Sequence, residues 1–518
     1  MHTFSYGRSG LRASLLAAWR TFLFATVLVL ITAGCDSGNG DDDDDGDDGG
    51  TPSRGELVSD PTLVRVVEAA ELLDGIDEAL RLAVLLQAGS PVCDIALYKI
   101  EYATVGGQGE DTTASGALMA PTGTNANCTG ARPVVLYAHG TSTDRDYDIT
   151  NFDAATENPE GLLIAAFFAA QGYLVVAPNY AGYDVSALPY HPYLVADQQS
   201  ADMVDALAAA RSALPVAGTD STDSGRLYVT GYSQGGYVAM ATHRALEAGG
   251  VPVTASAPMS GPYALAAFVD AVFAGRVNGG ATVQGTFLFT AYQRAFGNVY
   301  SSADELFEAQ YADEIETLFP SDLPRSELYD QGKLPRDAFF SAEPPAPEYA
   351  DITPPSSPAE FVPLYQRGFA SSDFLIRNDY RLAYLQDMQA SPDGYWPDLS
   401  SAEPPASPAL PLRQALAAND LRDWTPEAPT LLCGGHDDPT VYWLNSEAMN
   451  AYWSSHAADA PVSILDVDAA PSGDADPYGD LKRRFGLAKD LLRAQGGSEA
   501  VLDSYHAGLV PAFCLEAA

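Results

Sequence analysis

The stretch from Arg226 to Met240 constrains this chain more than any other, reading Arg-Leu-Tyr-Val-Thr-Gly-Tyr-Ser-Gln-Gly-Gly-Tyr-Val-Ala-Met. It describes a short apolar strand, a glycine-pinched turn and the start of a small-residue helix. Gly231-Tyr232-Ser233-Gln234-Gly235 is a G-x-S-x-G pattern. In that pattern the serine occupies a strained strand-to-helix corner that exposes its hydroxyl above a sheet. Glycine is expected on both sides, because a Cβ there would collide with the neighbouring strand or helix. The helix beginning after Ser233 brings a positive dipole end to a place where negative charge can develop.

Around this corner the chain alternates strands and helices. Ile95–Val105 and Thr113–Pro121 read as two strands joined at Gly106, and Arg132–Ala138 as a buried strand ending in His139-Gly140-Thr141. A helix at Gly161–Gly172, a strand at Tyr173–Pro178 and a helix at Tyr193–Leu214 lead to the strand before Ser233. The helix Gln234–Gly249 and the strand Val253–Met259 follow. This rhythm predicts a mostly parallel sheet with helices on both faces. Ahead of it, Leu63, Val66, Val67, Ala70 and Leu73 have helical spacing, so 61–88 is expected to be an amphipathic helix. From 265 to 425 the rhythm stops, and helical stretches (Leu265–Ala274, Ala303–Leu318) alternate with Pro-rich segments. The sheet resumes at Pro429–Cys433 and Val462–Val467, followed by a helix at Leu481–Ala494. Residues 265–425 are therefore expected to be a cap inserted between two parts of one core, 56–264 and 426–518.

The first residues read as a leader. Arg8, Arg12 and Arg20 precede a short apolar run, Thr21–Ala33, in the manner of a signal peptide. Ala33-Gly34-Cys35 resembles the end of a bacterial lipoprotein box. That likeness implies cleavage after residue 34, lipid modification of Cys35 and attachment to a membrane of the bacterial cell envelope, plain secretion being the alternative. An aspartate- and glycine-rich tether follows within 35–55, too polar and self-repelling to bury. In an exported chain the other four cysteines suggest two disulfides, with Cys93–Cys128 and Cys433–Cys514 favoured among three pairings. The formal charge of −42 repels polyanions, so nucleic acid is not an expected partner.

A serine at such a corner needs an acid and a histidine further along, in the order Ser, Asp or Glu, His. The strand Pro429–Cys433 opens into Gly434-Gly435-His436-Asp437-Asp438, so Asp437 and Asp438 are both candidates. Of the seven histidines, His139 and His191 precede the serine, His243 lies on the helix after it, and His436 precedes both acids. His456 falls before the last strand. His506, in a polar turn after that strand, has the required order. The hole for a developing oxyanion would be made by the backbone N–H groups of Thr141 and Gln234, with Gly140 allowing close approach and His139 bracing the loop.

Taken together, His139-Gly-Thr141, Ala177-Pro-Asn-Tyr-Ala-Gly-Tyr183, His191-Pro-Tyr-Leu194, Gly231-Tyr-Ser-Gln-Gly-Gly236, Cys433-Gly-Gly-His-Asp-Asp-Pro-Thr440 and Tyr505-His506 resemble the secretory lipase-like carboxylesterases of the α/β-hydrolase superfamily. The resemblance covers about 90–265 and 428–514, not the cap. It implies an α/β-hydrolase fold and a triad of Ser233, Asp438 and His506. The spacing of Gly435, Asp438 and Val441 looks like that superfamily's acid loop and favours Asp438 over Asp437. The implied activity is cleavage of small-molecule or lipid esters through an acyl-enzyme. No metal-ligand cluster or nucleotide loop is apparent in the sequence, so no cofactor is implied. Two rival readings are a peptidase or amidase on the same fold and a noncatalytic surface lipoprotein that binds a ligand.

Overall fold

Among the described residues eleven strands are formed: β1 (Thr62–Val67), β2 (Asp94–Val105), β3 (Asp111–Thr122), β4 (Gly130–Ala138), β5 (Leu174–Pro178), β6 (Ser221–Tyr232), β7 (Ala255–Met259), β8 (Phe340–Ser341), β9 (Phe369–Ala370), β10 (Thr430–Gly434) and β11 (Val462–Asp466). Nine of them make one sheet in the order β1-β2-β3-β5-β4-β6-β7-β10-β11. The architecture comes from a computed structural model, which describes residues 52–74, 78–152 and 160–518. The expected leader (1–34), the lipidation site Cys35 and most of the acidic tether lie outside the described residues. The sheet is antiparallel from β1 through β3 to β5, then parallel from β5 to β11. The parallel strands β5 and β7 are five residues long and largely buried, as is the Val134–Ala138 half of β4, because a parallel sheet is covered by helices on both faces.

Register decides where the loops emerge. Ala138 of β4 lies opposite Gly231 of β6, Tyr232 opposite Met259 of β7, and Met259 opposite Cys433 of β10. The loops after β4, β6 and β10 therefore leave the same carboxyl edge of the sheet side by side. This is where open α/β sheets place their ligands.

Two sequence expectations are corrected. Residues 62–67 form the edge strand β1, antiparallel to β2, and the helix is confined to Glu78–Gln87. The β-branched run Val64-Arg65-Val66-Val67 suits an extended chain. It mimics a helical pattern because Leu63, Val64 and Val66 are all exposed, so neither face of the strand is marked. Ala303–Leu318 is not one helix but a series of turns, Ala303–Glu305, Ala309–Ala312 and Ile315–Thr317.

Between β7 and β10 the chain makes only the two-residue pairing of β8 with β9 and a set of helices. This insertion shares the main hydrophobic core through Phe273, Phe289, Leu306 and Tyr384. Inside it, Arg413 bonds Asp270 at 2.7 Å and Asp387 at 2.9 Å, and Arg422 bonds Asp393 at 2.6 Å and Asp420 at 2.8 Å, all buried. Such pairs contribute little net stability, since each charge must first leave water. Both expected disulfides are present, Cys93–Cys128 and Cys433–Cys514.

Candidate active site

Ser233 stands between the end of β6 and the helix Gln234–Ala248, with φ 60° and ψ −121°. A Cβ at Gly231 would lie 2.4 Å from the Gly235 carbonyl oxygen, and one at Gly235 only 1.9 Å from that of Ala138. The two glycines thus let β4, β6 and the helix crowd together. Ser233 N–H is held by Met259 O at 3.0 Å. The corner is locked into β7, and its side chain faces the open edge.

Three side chains meet there. His506 Nε2 lies 2.8 Å from Ser233 Oγ, and His506 Nδ1 lies 2.7 Å from Asp438 Oδ2. Asp438 is buried, and its other oxygen accepts Thr440 N–H at 2.9 Å and Val441 N–H at 3.0 Å. With Nδ1–H donated to a carboxylate, the Nε2 lone pair faces the serine hydroxyl. Such a chain can take the serine proton as the oxygen attacks a carbonyl and stabilise the imidazolium that results.

Asp437, the other acid open in the sequence, turns away to accept Lys489 Nζ at 2.7 Å. Lys489 also bonds Asp468, which accepts Tyr505 OH at 2.6 Å. His436 donates to Asp466 at 2.8 Å, and that carboxylate raises its pKa. Ligand atoms of His436, Asp437 and Asp468 come within 4.8 Å of one another. The grouping was invisible in the sequence because Asp468 arrives from beyond β11. Lys489 already supplies the positive charge between its two carboxylates.

His506 is delivered differently from expectation. The helix Gly479–Ser504, kinked at Gly497 (φ 75°, ψ −166°), runs straight into a π-helical turn, Tyr505–Leu509, which carries the histidine in place of a polar turn. The helix Val510–Ala517 then returns Cys514 to Cys433 on β10. π-Turns are rare, and no simple periodicity announces them.

The loop after β4 is braced from two sides. His139 Nδ1 lies 2.6 Å from Gly140 O, and Gly140 N–H donates to the Glu160 carboxylate at 3.1 Å. Because the peptide is planar and trans, fixing Gly140 O on one side aims Thr141 N–H to the other. Among the described residues neither Thr141 N–H nor Gln234 N–H has a backbone acceptor. A Cβ at Gly140 would lie 3.6 Å from Tyr232 O and 3.9 Å from Ser233 Cβ, which places this residue beside the serine corner. His139 is fully buried between Tyr147 and Tyr180, and desolvation lowers its pKa to about 4.

His191 is buried beside the serine corner, where Nδ1 donates to Ala181 O at 3.0 Å and Nε2 accepts from Gln234 Nε2 at 2.7 Å. Burial lowers its pKa to about 3, so it stays a neutral acceptor for the residue after Ser233. His243 bonds Glu247 and Ser256, and His456 bonds Tyr452 O, both away from the site.

Above Ser233 the insertion forms a narrow, largely apolar pocket that opens to solvent. The walls are Leu265, Phe268, Val269, Val272 and Phe273 from one helix and Ala281, Leu288 and Phe289 from the next, with Tyr193, Phe339 and Val441. Asn278 Nδ2 donates to Thr440 O at 2.8 Å and Gly279 N–H to Pro439 O at 2.8 Å. The insertion is thereby fastened to the loop that carries Asp438.

Sheet order, serine corner and the three loops at one edge define an α/β-hydrolase fold, and the chain is a hydrolase of the esterase, lipase and peptidase class. Residues 162–248 match the model of the prolyl oligopeptidase family. The chain is similar to the rice cell wall degrading esterase LipA of Xanthomonas oryzae, with 26% identity and a TM-score of 0.62 over 87% of this chain and 100% of that one. A hydrolase structure from Legionella pneumophila shares the fold at 20% identity and a TM-score of 0.57, covering 83% of this chain and 96% of that one. No match is found among curated protein sequences.

Proposed function

We infer that this protein is a serine carboxylesterase that cleaves apolar esters through an acyl-enzyme. The observation that carries the reading is the continuous chain Ser233 Oγ–His506 Nε2 at 2.8 Å and His506 Nδ1–Asp438 Oδ2 at 2.7 Å, lying at the base of an apolar cavity. Ser233 attacks the ester carbonyl as His506 takes its proton, and Asp438 orients and stabilises the imidazolium. The Thr141 and Gln234 amides hold the oxyanion. His506 then protonates the leaving alcohol, and water activated by the same histidine releases the acid. The cavity walls favour an acyl chain over a polar group. No step calls for a cofactor.

The similarity to an esterase over most of the chain supports ester cleavage. The prolyl oligopeptidase match favours a second reading, peptide or amide cleavage, but it spans only 162–248, the part that builds the serine corner. Export, with a lipid anchor at Cys35, is part of the proposal and rests on the sequence alone. A fluorophosphonate probe with peptide mapping should label Ser233, and S233A should lose labelling and activity together. p-Nitrophenyl esters of graded chain length, run beside aminoacyl anilides, decide between the readings. Turnover of anilides alone would remove the esterase assignment.

A further inference from the structure

The histidine of the site rides on a turn 273 residues beyond Ser233, between a kinked helix and a disulfide. Something near the serine has to hold that turn to the sheet. Tyr232 immediately precedes Ser233 on β6, and its ring lies 5.0 Å from the His506 ring, tilted by 38°. Its hydroxyl donates to the His506 carbonyl oxygen at 2.5 Å. A carbonyl can only accept, so the phenol proton is committed there. The oxygen lone pair then faces His506 Nδ1 at 3.4 Å.

We propose that Tyr232 is a positioning residue for the base, fastening the His506 turn to the end of β6 and favouring the imidazolium through its phenol oxygen. The proposal rests on the triad reading given above. The last residue of β6 and the serine just after it then hold the same histidine, Ser233 by its ring and Tyr232 by its backbone. The arrangement keeps the Ser–His contact in register while the rest of the turn is anchored elsewhere. Asp438, bonded to Nδ1, and Tyr505, whose hydroxyl is taken by Asp468, also face this ring and turn, and the Ser260 side chain lies beside the Tyr232 hydroxyl. Tyr232 is buried, and burial, together with the charge of Asp438, raises its pKa well above the ordinary phenol value. It therefore remains a donor through the working pH range.

The test is Y232F with a p-nitrophenyl ester, measured beside S233A. The expected result is a kcat lower by about tenfold, as the loss of one aligned hydrogen bond implies, with KM within about twofold. The ascending limb of the kcat/KM profile should move to lower pH, because an imidazolium that loses a favourable lone pair gives up its proton more easily. A folded Y232F with unchanged kcat and an unmoved limb would overturn the proposal. So would a loss of activity that only parallels a fall in melting temperature. If Y232F does not fold, fluorotyrosine incorporated at 232 keeps the shape and alters the acidity of the hydroxyl, and an unmoved limb there is equally fatal. An active S233A would instead refute the triad reading itself.

Discussion

Ser233 holds a positive φ of 60°, a conformation that costs a non-glycine residue about 1–3 kcal/mol and persists only where its surroundings enforce it. The enforcement is local. Gly231, Gly235 and the Met259 carbonyl leave the chain no other path. G235A should therefore lose about 3 kcal/mol or more, read as a lower denaturation midpoint, because its Cβ would meet backbone that cannot step aside. This corner was readable in the sequence because its rules act over five residues. The acid was only half readable, since two adjacent aspartates satisfy the same spacing and only tertiary contacts separate them. D438N should lower kcat by about 10⁴-fold, whereas D437N, which weakens the Lys489 contact, should keep most of the activity; comparable losses in both would refute that division. Tyr232 and His191 could not be assigned from sequence, because each acts through a contact 274 or 43 residues away.

At the scale of elements, the alternation of strands and helices gave away the parallel half of the sheet, whose inner strands β5 and β7 are almost wholly buried. The first strand was lost to a helical reading because it is an exposed edge with no single buried face to set a period of two. The base-carrying turn escaped for a different reason, as a π-turn has no repeating pattern. That turn is bounded by the kink at Gly497 and the Cys433–Cys514 bond, which ties it to the very strand that leads to Asp438. The two disulfides should therefore differ in kind. Paired serine substitutions at 433 and 514 should depress kcat well below the melting temperature. The same change at 93 and 128 should lower the melting temperature and leave kcat near its original value. Equal kinetic effects of the two would refute the distinction.

For the molecule as a whole, buried titratable groups set the acid limit. His139 and His191 are held neutral with pKa values near 4 and 3, below the ordinary 6.5, so the unfolded chain takes up their protons first. Their contribution to stability is full above about pH 6.5 and is lost as pH falls toward those values. Asp202 and Asp270 act in the opposite sense. Burial raises the pKa of each to about 6, so their penalty is relieved as pH drops through that value toward 3.8. The two histidines begin to lose stability at the higher pH and lose more over the window than the two aspartates regain, so melting temperature should fall between pH 6.5 and 4. H191Q, which removes one of the two, should flatten that fall; an unchanged slope would show that the acid sensitivity lies elsewhere. The insertion belongs to this scale as well, since it shares the core and its loop at 278–279 is pinned to the acid loop.

The 273 residues that separate Ser233 from His506 also govern timing. As the polypeptide emerges during synthesis, the serine corner, its glycines and the strand that leads to Asp438 are all available before the base exists. A partly made chain thus carries a shaped but silent corner. The proposed chemistry can start only when the turns after β11 have folded back onto the sheet, where the Cys433–Cys514 bond holds them. A chain interrupted before His506 would carry the corner without its proton acceptor.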